Sequence, residues 1–303
     1  MDDRMTRIAF CGVGTMGRHL VRHLVAAGHD VRVFDPVPAA MEYAASLGAT
    51  ATATSAAEAC ADVEVCLLSL PSTKLVASVA REAAAALPRG AVLADLSTSP
   101  PSLAEELARE LEPTDLIVAD CPLSGGPIGA EAGTLSSMIG GSDEAYAILE
   151  PIAQAWSAFV VHVGGHGAGQ AAKLCNNMLA GTHMAALCLS LTLARRSGID
   201  DAMLFDILSR STGDSRVMRA RYPAAGVDDA HPANRDFEAL FTLDLMTKDM
   251  ELATVFAAES GLDPELLEVV TGIYHEAQAA GFGGLDYSGL VKLERELPSG
   301  EKS

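Results

Sequence analysis

Arg7-Ile8-Ala9-Phe10-Cys11-Gly12-Val13-Gly14-Thr15-Met16-Gly17 is the stretch that decides the fold. Residues 7–11 form a short apolar run of the kind that makes a buried parallel strand. Glycines follow in the spacing G-x-G-x-x-G. Leu20, Val21, Leu24 and Val25 then recur at helical intervals up to Gly28, and Val31-Arg32-Val33-Phe34 reads as a second strand ending on Asp35. In this setting each glycine has its own task. The first permits a tight turn, the second lets the backbone approach a pyrophosphate, and the third lets the helix pack on the strand. The helix N-terminus adds oriented N–H groups. Gly12, Val13, Gly14, Thr15, Met16 and Gly17 are therefore expected to bind a dinucleotide. Asp35 is placed to accept hydrogen bonds from the adenosine ribose. Its carboxylate repels a 2′-phosphate and no Arg stands at 36–41, so the expected cofactor is NAD rather than NADP.

Strand and helix patterns alternate through the first half. Ser55 with Glu58 three residues later opens a helix as a capping box. Strands are expected at 63–70 and 91–96. The loops after them, Leu70-Pro71 and Ser97-Thr98, leave the carboxyl ends of parallel strands, where a dinucleotide lies in such sheets. For Leu70 and Pro71 a plain strand terminator is an equal reading. Ser99 is expected to cap the next helix with Pro100 at its first position, which leaves Ser97 and Thr98 facing the cleft. A strand at 116–119 leads into Asp120-Cys121-Pro122-Leu123-Ser124-Gly125-Gly126-Pro127. Ser124, Gly125 and Gly126 offer a hydroxyl and two close N–H groups as a seat for a carboxylate. A flexible turn between strands is the competing explanation. Residues 133–139 read as a turn and an edge strand, and 159–163 as the last strand.

Gly164-Gly165-His166-Gly167-Ala168-Gly169-Gln170-Ala171-Ala172-Lys173-Leu174-Cys175-Asn176-Asn177 runs from a glycine-rich turn into a helix. Lys173 and Asn177 lie four apart and share one face. The next stretch, 178–194, holds no Asp, Glu, Lys or Arg. A lysine and two asparagines there are costly to bury without a purpose; the plain alternative is that Lys173 reaches out to water. Further helices are expected at 200–210, 214–222, 240–260, 263–280 and 286–294, with a loop at 223–237. Lys248 and Asp249 stand inside an apolar helical stretch, where an Asp244–Lys248 ion pair is the simple structural explanation. Arg216, Arg219 and Arg221 either steer an anion or are solvated.

Composition bounds the function. The 303 residues are 49% hydrophobic and 20% charged, enough for two globular domains. A net charge of −19 argues against nucleic acid and an anionic membrane surface as partners. A small anionic substrate stays compatible, because local basic groups override the global field. The six cysteines lack zinc-site spacing and read as free thiols of a cytoplasmic protein, and residues 1–7 contain no apolar leader. The stretch 178–194 is short for a membrane span and carries polar residues, so a buried core helix is expected.

Four separated motifs resemble the β-hydroxyacid dehydrogenase family: Gly12 to Gly17; Asp120 to Gly126 with Gly129-Ala130 and Gly133-Thr134-Leu135; Gly167 to Asn177; and Lys248-Asp249. The resemblance runs from Ile8 to about Leu293. It implies an α/β fold, a doubly wound Rossmann sheet over 1–165, joined by a long helix to an all-α substrate and dimerisation domain over 166–303. It also implies a catalytic lysine at Lys173, a helper at Asn177, a carboxylate seat at Ser124, Gly125 and Gly126, and Ser97, Thr98 and Lys248 near the nicotinamide. The usual asparagine of the first helix is absent. Ala180 stands where the 6-phosphogluconate branch carries glutamate, and the imine reductase branch usually lacks the lysine kept here.

The activity so implied is hydride transfer between NAD and a small 3-hydroxyacid of the 3-hydroxyisobutyrate kind, in a homodimer or tetramer, with no metal. Burial beside a cationic nicotinamide is expected to bring Lys173 toward its operating pH as general acid/base. The alternatives are a semialdehyde or imine reductase of the same fold using NAD(P)H, and a non-catalytic dinucleotide-binding scaffold.

Overall fold

The computed structural model describes residues 5–293. Residues 1–4 of the charged and polar stretch 1–7, and position 294 of the helix expected at 286–294, lie outside the described residues. The chain divides into two compact units, Met1–Leu174 and Cys175–Ser303. The sequence reading put the division at 165/166, at the head of the long helix; the compact units part inside that helix.

In chain order the first unit contains β1 (Arg7–Cys11), α1 (Gly17–Ala26), β2 (Asp30–Phe34), α2 (Pro38–Ser46), α3 (Ala56–Cys60), β3 (Val65–Leu68), α4 (Thr73–Ala84) and β4 (Val92–Asp95). It continues with α5 (Pro101–Leu111), β5 (Ile117–Asp120), β6 (Leu123–Ser124), α6 (Gly126–Ala132), β7 (Leu135–Gly140), α7 (Asp143–Ala153), β8 (Ser157–Gly164) and the start of α8 (Ala168–Arg196). The strands β2-β1-β3-β4-β5 are adjacent in that order and parallel. From β1 the chain first builds outward to β2, then returns to place β3 on the other side. This reversal opens a crevice at the carboxyl ends of β1 and β3, where ligands bind in such sheets.

Side chains alternate across β1. Ile8 and Phe10 pack with Leu20 and Leu24 of α1, whereas Ala9 and Cys11 pack with Val76 and Ala80 of α4 and Leu103 and Leu107 of α5. Both faces are thus covered by helices, which is why these strands read as continuous apolar runs. Each fully buried Leu or Phe contributes roughly 1.5–3 kcal/mol.

Two local expectations are corrected. β7 is interior, pairing antiparallel with β5 and β6 and parallel with β8. Its serines suggested an edge, but the buried Ser137 hydroxyl is satisfied by Ser157 Oγ at 2.7 Å and by Trp156 Nε1 at 3.2 Å. Ser99 does not cap α5. Of two consecutive prolines, Pro101 takes the first helical position, where no N–H is needed, and Pro100 is the cap residue. Ser55 does cap α3, accepting from the Glu58 amide.

The second unit is helical: the remainder of α8, then α9 (Asp201–Leu208), α10 (Arg216–Arg221), α11 (Leu243–Glu259) and α12 (Glu265–Ala279). The expected helix at 286–294 is a 3-10 turn, Tyr287–Lys292, and a second such turn, Pro232–Arg235, interrupts the expected loop. The buried Asp286 caps the first, accepting from Ser288 Oγ at 2.7 Å and pairing with Arg221. Met184, Leu187 and Leu191 of α8 form one core with Met246 and Met250 of α11 and Tyr274 of α12. Gly181 makes this packing possible: a Cβ there would lie 2.5 Å from Met250 Sδ. α8 is long and apolar enough to cross a membrane by length and composition. Only one of its faces is a core face, and Leu179, Leu189 and Leu193 are exposed on the other.

Candidate active site

The glycine-rich turn connects β1 to α1. Gly12 has φ +101°, and a Cβ there would lie 2.2 Å from the Ser69 carbonyl oxygen at the end of β3. A Cβ on Gly17 would lie 2.0 Å from the Gly12 carbonyl oxygen, so α1 could not start against the strand. Gly14 differs: nothing lies within 4 Å of its missing Cβ. A side chain there would occupy the open space over the turn through which a pyrophosphate approaches the backbone. Gly14 and Thr15 are exposed, while Gly12, Val13 and Gly17 are buried. These residues fit a dinucleotide. Asp35, at the end of β2, accepts from the Val13 amide at 2.8 Å and from the Val37 amide at 2.8 Å. The carboxylate expected to meet the ribose therefore also braces the turn.

The loops after β3 and β4 are tied together. The Leu70 amide donates to Ser97 Oγ at 2.9 Å, so the Ser97 hydroxyl is buried in a loop-to-loop contact. Thr98 is half-buried and Pro71 exposed at the same ends. The Gln170 side chain of α8 accepts from the Ser99 amide at 3.0 Å and donates to the Ser97 carbonyl at 2.9 Å. Ser99 Oγ donates to Asp95 Oδ2 at 2.6 Å, and Asp95 Oδ1 accepts from the Ser97 amide at 2.8 Å.

Asp120, fully buried at the end of β5, caps the head of α8. It accepts from the amides of Gly167 at 2.7 Å and Gln170 at 2.8 Å. Burial pushes its carboxyl above the usual carboxylate range, while the two amides pull it down. Glycines enclose it: a Cβ on Gly140 would lie 2.5 Å from Asp120 Oδ1, and one on Gly169 2.3 Å from the Met138 carbonyl oxygen. Gly167 has φ +83°, with the Pro101 carbonyl oxygen 2.8 Å from its missing Cβ. This junction fixes the helix that carries Lys173. Lys173 lies one turn after Gly169 and Gln170 and is 8% exposed, so it does not simply reach out to water.

Ser124 ends β6, and Gly125 and Gly126 lead into α6 with φ +133° and +63°. Only glycine adopts such a pair without strain. The first N–H groups of α6 have no intrahelical partner, and they follow directly on the Ser124 hydroxyl.

In the second unit Asn177, 5% exposed, donates from Nδ2 to Asp249 Oδ2 at 2.5 Å and accepts from Asn176 Nδ2 at 2.9 Å. Lys248 Nζ lies 3.0 Å from Asp249 Oδ1. The ion pair considered between Asp244 and Lys248 is replaced by this one, and Asp244 accepts from Gln278 Nε2 at 2.6 Å. Of the three arginines, Arg219 pairs with Asp214 at 2.8 Å and Arg221 with Asp286.

Asp249, Gln170, Asp95 and Asp120 were not singled out as site residues. For Asp249 the signal was available: a carboxylate on the apolar face of a helix, beside a lysine. For the other three, the contacts that tie Asp95, Ser97, Ser99 and Asp120 to the head of α8 span 47 to 75 residues of sequence.

Residues 7–164 match the family described as the NAD binding domain of 6-phosphogluconate dehydrogenase. Residues 167–294 match the one described as NAD-binding of NADP-dependent 3-hydroxyisobutyrate dehydrogenase. The 3-hydroxyisobutyrate dehydrogenase of Pseudomonas aeruginosa is 36% identical over 96% of this chain and 99% of its own length. The NAD-dependent L-serine dehydrogenase of the same organism is 32% identical over 95% and 98%. The solved structure of Mycobacterium tuberculosis 3-hydroxyisobutyrate dehydrogenase with L-serine matches with a TM-score of 0.90 at 35% identity, covering 97% of this chain and all of that one. With both halves matched in order and relatives aligned over nearly their whole length, the chain belongs to the β-hydroxyacid dehydrogenase family.

Proposed function

We propose that this chain oxidises a short 3-hydroxy carboxylate with NAD, using Lys173 as general acid/base. The observation that carries this reading is the burial of Lys173 on α8, one turn beyond the Gln170 amide that ties this helix to the Ser97–Ser99 loop. A buried lysine held by a braced helix fits proton transfer better than surface solvation. The substrate class rests on chemistry shared by the relatives. 3-Hydroxyisobutyrate and L-serine are both propanoates with a 3-hydroxyl, differing only in the small group on the middle carbon. That fragment, HO–CH2–CH(X)–COO⁻, is the proposed substrate.

When bound along Gly12 to Gly17, Leu70-Pro71 and Ser97-Thr98, NAD supplies the acceptor for the hydride of the alcohol carbon. The Asp35 carboxylate disfavours a 2′-phosphate and so favours NAD over NADP. Ser124 Oγ and the amides of Gly125 and Gly126 hold the substrate carboxylate and fix which hydrogen is presented. The neutral Lys173 amine takes the hydroxyl proton as the C–H bond breaks, and passes it to solvent. In reduction, its ammonium form returns that proton to the developing alkoxide. Asn177 orients the hydroxyl, and Asp249 holds the Asn177 amide. Lys248, paired with Asp249, is assigned to the nicotinamide end of the cofactor.

The test is NADH formation over a panel of 3-hydroxyacids by wild type and Lys173→Met. Turnover should fall by several orders of magnitude in the variant while NADH binding, read by calorimetry, stays. Near-normal turnover would remove Lys173 from the chemistry. Unchanged cofactor binding with no turnover in the wild type on any hydroxyacid would favour an imine or semialdehyde reductase. The exposed apolar residues of the helical unit, Leu189, Leu193, Met203, Leu266 and Val269, support assembly through that unit as a homodimer or a larger oligomer.

A further inference from the structure

Three cysteines meet inside the first unit, none of them assigned a part in the reaction. Cys11 ends β1, Cys60 ends α3 and Cys66 lies in β3. The parallel register sets Ala9 opposite Cys66, so Cys11 stands two residues further along on the same face of the sheet. α3 packs over that face and brings Cys60 in from above. The three Sγ atoms lie within 4.8 Å of one another, and Cys60 Sγ is 3.4 Å from Cys66 Sγ. All three residues are 0% exposed, among Ala9, Ala59, Val63, Val76 and Ala80.

A buried cysteine is ordinarily a small hydrophobe, and that explains any one of these. It does not explain why three thiols from three elements converge, with sulfur as hydrogen-bond partner to sulfur. The dimensions are those of a ligand set. Three thiolates bound at about 2.3 Å around one ion stand roughly 4.0 Å apart. A triangle with sides up to 4.8 Å and one of 3.4 Å reaches this by sub-ångström adjustments of side chains. Three sulfurs in apolar surroundings select a soft ion that accepts three-fold coordination, whereas structural zinc takes a fourth ligand and harder ions prefer oxygen.

We infer that Cys11, Cys60 and Cys66 form a binding site for a single soft ion of the copper(I) class. Loading exchanges three S–H bonds for three metal–sulfur bonds. Three protons leave to solvent, and no electron moves. The site lies behind the dinucleotide turn, because Cys11 is followed directly by Gly12. It is independent of the hydroxyacid reading.

The experiment supplies copper(I) to the purified full-length chain, without oxygen, against a competing chelator. One tightly held copper per chain is expected, with thiolate-to-copper absorbance in the near ultraviolet. X-ray absorption should count three sulfurs near ~2.3 Å. Cys60→Ala and Cys66→Ala should each weaken binding at least roughly 100-fold, beyond the usual cost of disturbing ligand support. Cys175→Ala, which removes the exposed thiol, should leave binding unchanged. Uptake that survives Cys60→Ala, or that is lost in Cys175→Ala, would overturn the site. So would a count of two sulfurs or fewer in the wild type, a measurement that needs no variant to fold.

Discussion

At Asp35 one carboxylate carries two duties, and separating them is a test at the scale of a single residue. Its oxygens accept from the Val13 and Val37 amides, and in the proposed complex it also excludes a 2′-phosphate. Asp35→Ser with Pro36→Arg should therefore raise kcat/KM with NADP relative to NAD. It should also lower stability by about 1–3 kcal/mol, since two amides lose their acceptor. An unchanged NADP-to-NAD ratio would mean that Asp35 does not face the ribose. Gly17→Ala should be far more damaging than its size suggests, because the added methyl meets the Gly12 carbonyl at 2.0 Å; thermal unfolding and expression yield would record the loss. Residues of this kind were legible in the sequence because their partners are near in the chain or their backbone demand is written in glycine. For Asp249 the cue of a carboxylate beside a lysine on an apolar helix was present, but its partner Asn177 lies 72 residues away and Asp244 offered a nearer explanation for Lys248.

Among the elements, α8 depends on contacts that hold its first turn. Gln170→Leu leaves the Ser99 amide and the Ser97 carbonyl without their partner in a buried site, a cost of about 2–4 kcal/mol in all. Its turnover should fall with that stability, and Gln170→Glu should not restore either, because a second carboxylate would face Asp95 Oδ2 and the Ser97 carbonyl oxygen in a buried site. Equal stability of Gln170→Leu and wild type by urea unfolding would count against this brace. Asp120 gives a pH signature. Its folded carboxyl titrates above the unfolded one because burial disfavours the charge, so between those two pH values the folded state holds the extra proton. Stability from this group is present in acid and declines as pH rises through that window. The paired carboxylates of Glu110 and Asp201 are shifted downward and act in the opposite sense, so the contribution is read as wild type minus Asp120→Asn. That difference should shrink as pH rises from the ordinary carboxylate range toward neutrality; a difference independent of pH would contradict it. Most element identities were legible from periodicity, but α6 and α7 were not expected, the helix expected at 286–294 is a 3-10 turn, and β7 and Ser99 were misread. A serine on a strand reads as solvent-facing until its hydroxyl finds a buried partner, and a serine before two prolines reads as a cap until the second proline claims the helix start.

For the whole molecule, the doubly wound sheet and the helical second unit followed from the order of the motifs, since a strand-turn-helix-strand pattern admits few topologies. What covers the second unit did not follow, because an apolar residue in an amphipathic pattern looks the same whether its own chain or another buries it. Leu189 and Leu193 are 63% and 58% exposed on α8. Replacing both with Glu should reduce the proposed assembly to single chains by sedimentation equilibrium, with no change in the monomer's far-ultraviolet dichroism. A wild type that sediments as one chain at micromolar concentration would refute assembly through this face. At a net charge of −19 per chain, association should tighten as salt screens the repulsion. The collar of Gly140, Gly167 and Gly169 around Asp120 has a consequence for genetics. In a library of random variants scored for growth on a hydroxyacid, those three glycines would rank beside Lys173 as positions that tolerate nothing. None of them is assigned a contact with substrate. A map of intolerance drawn from such a screen would mark the socket of the helix as strongly as the lysine it presents, and only assays that separate folded amount from turnover per molecule would tell the two apart.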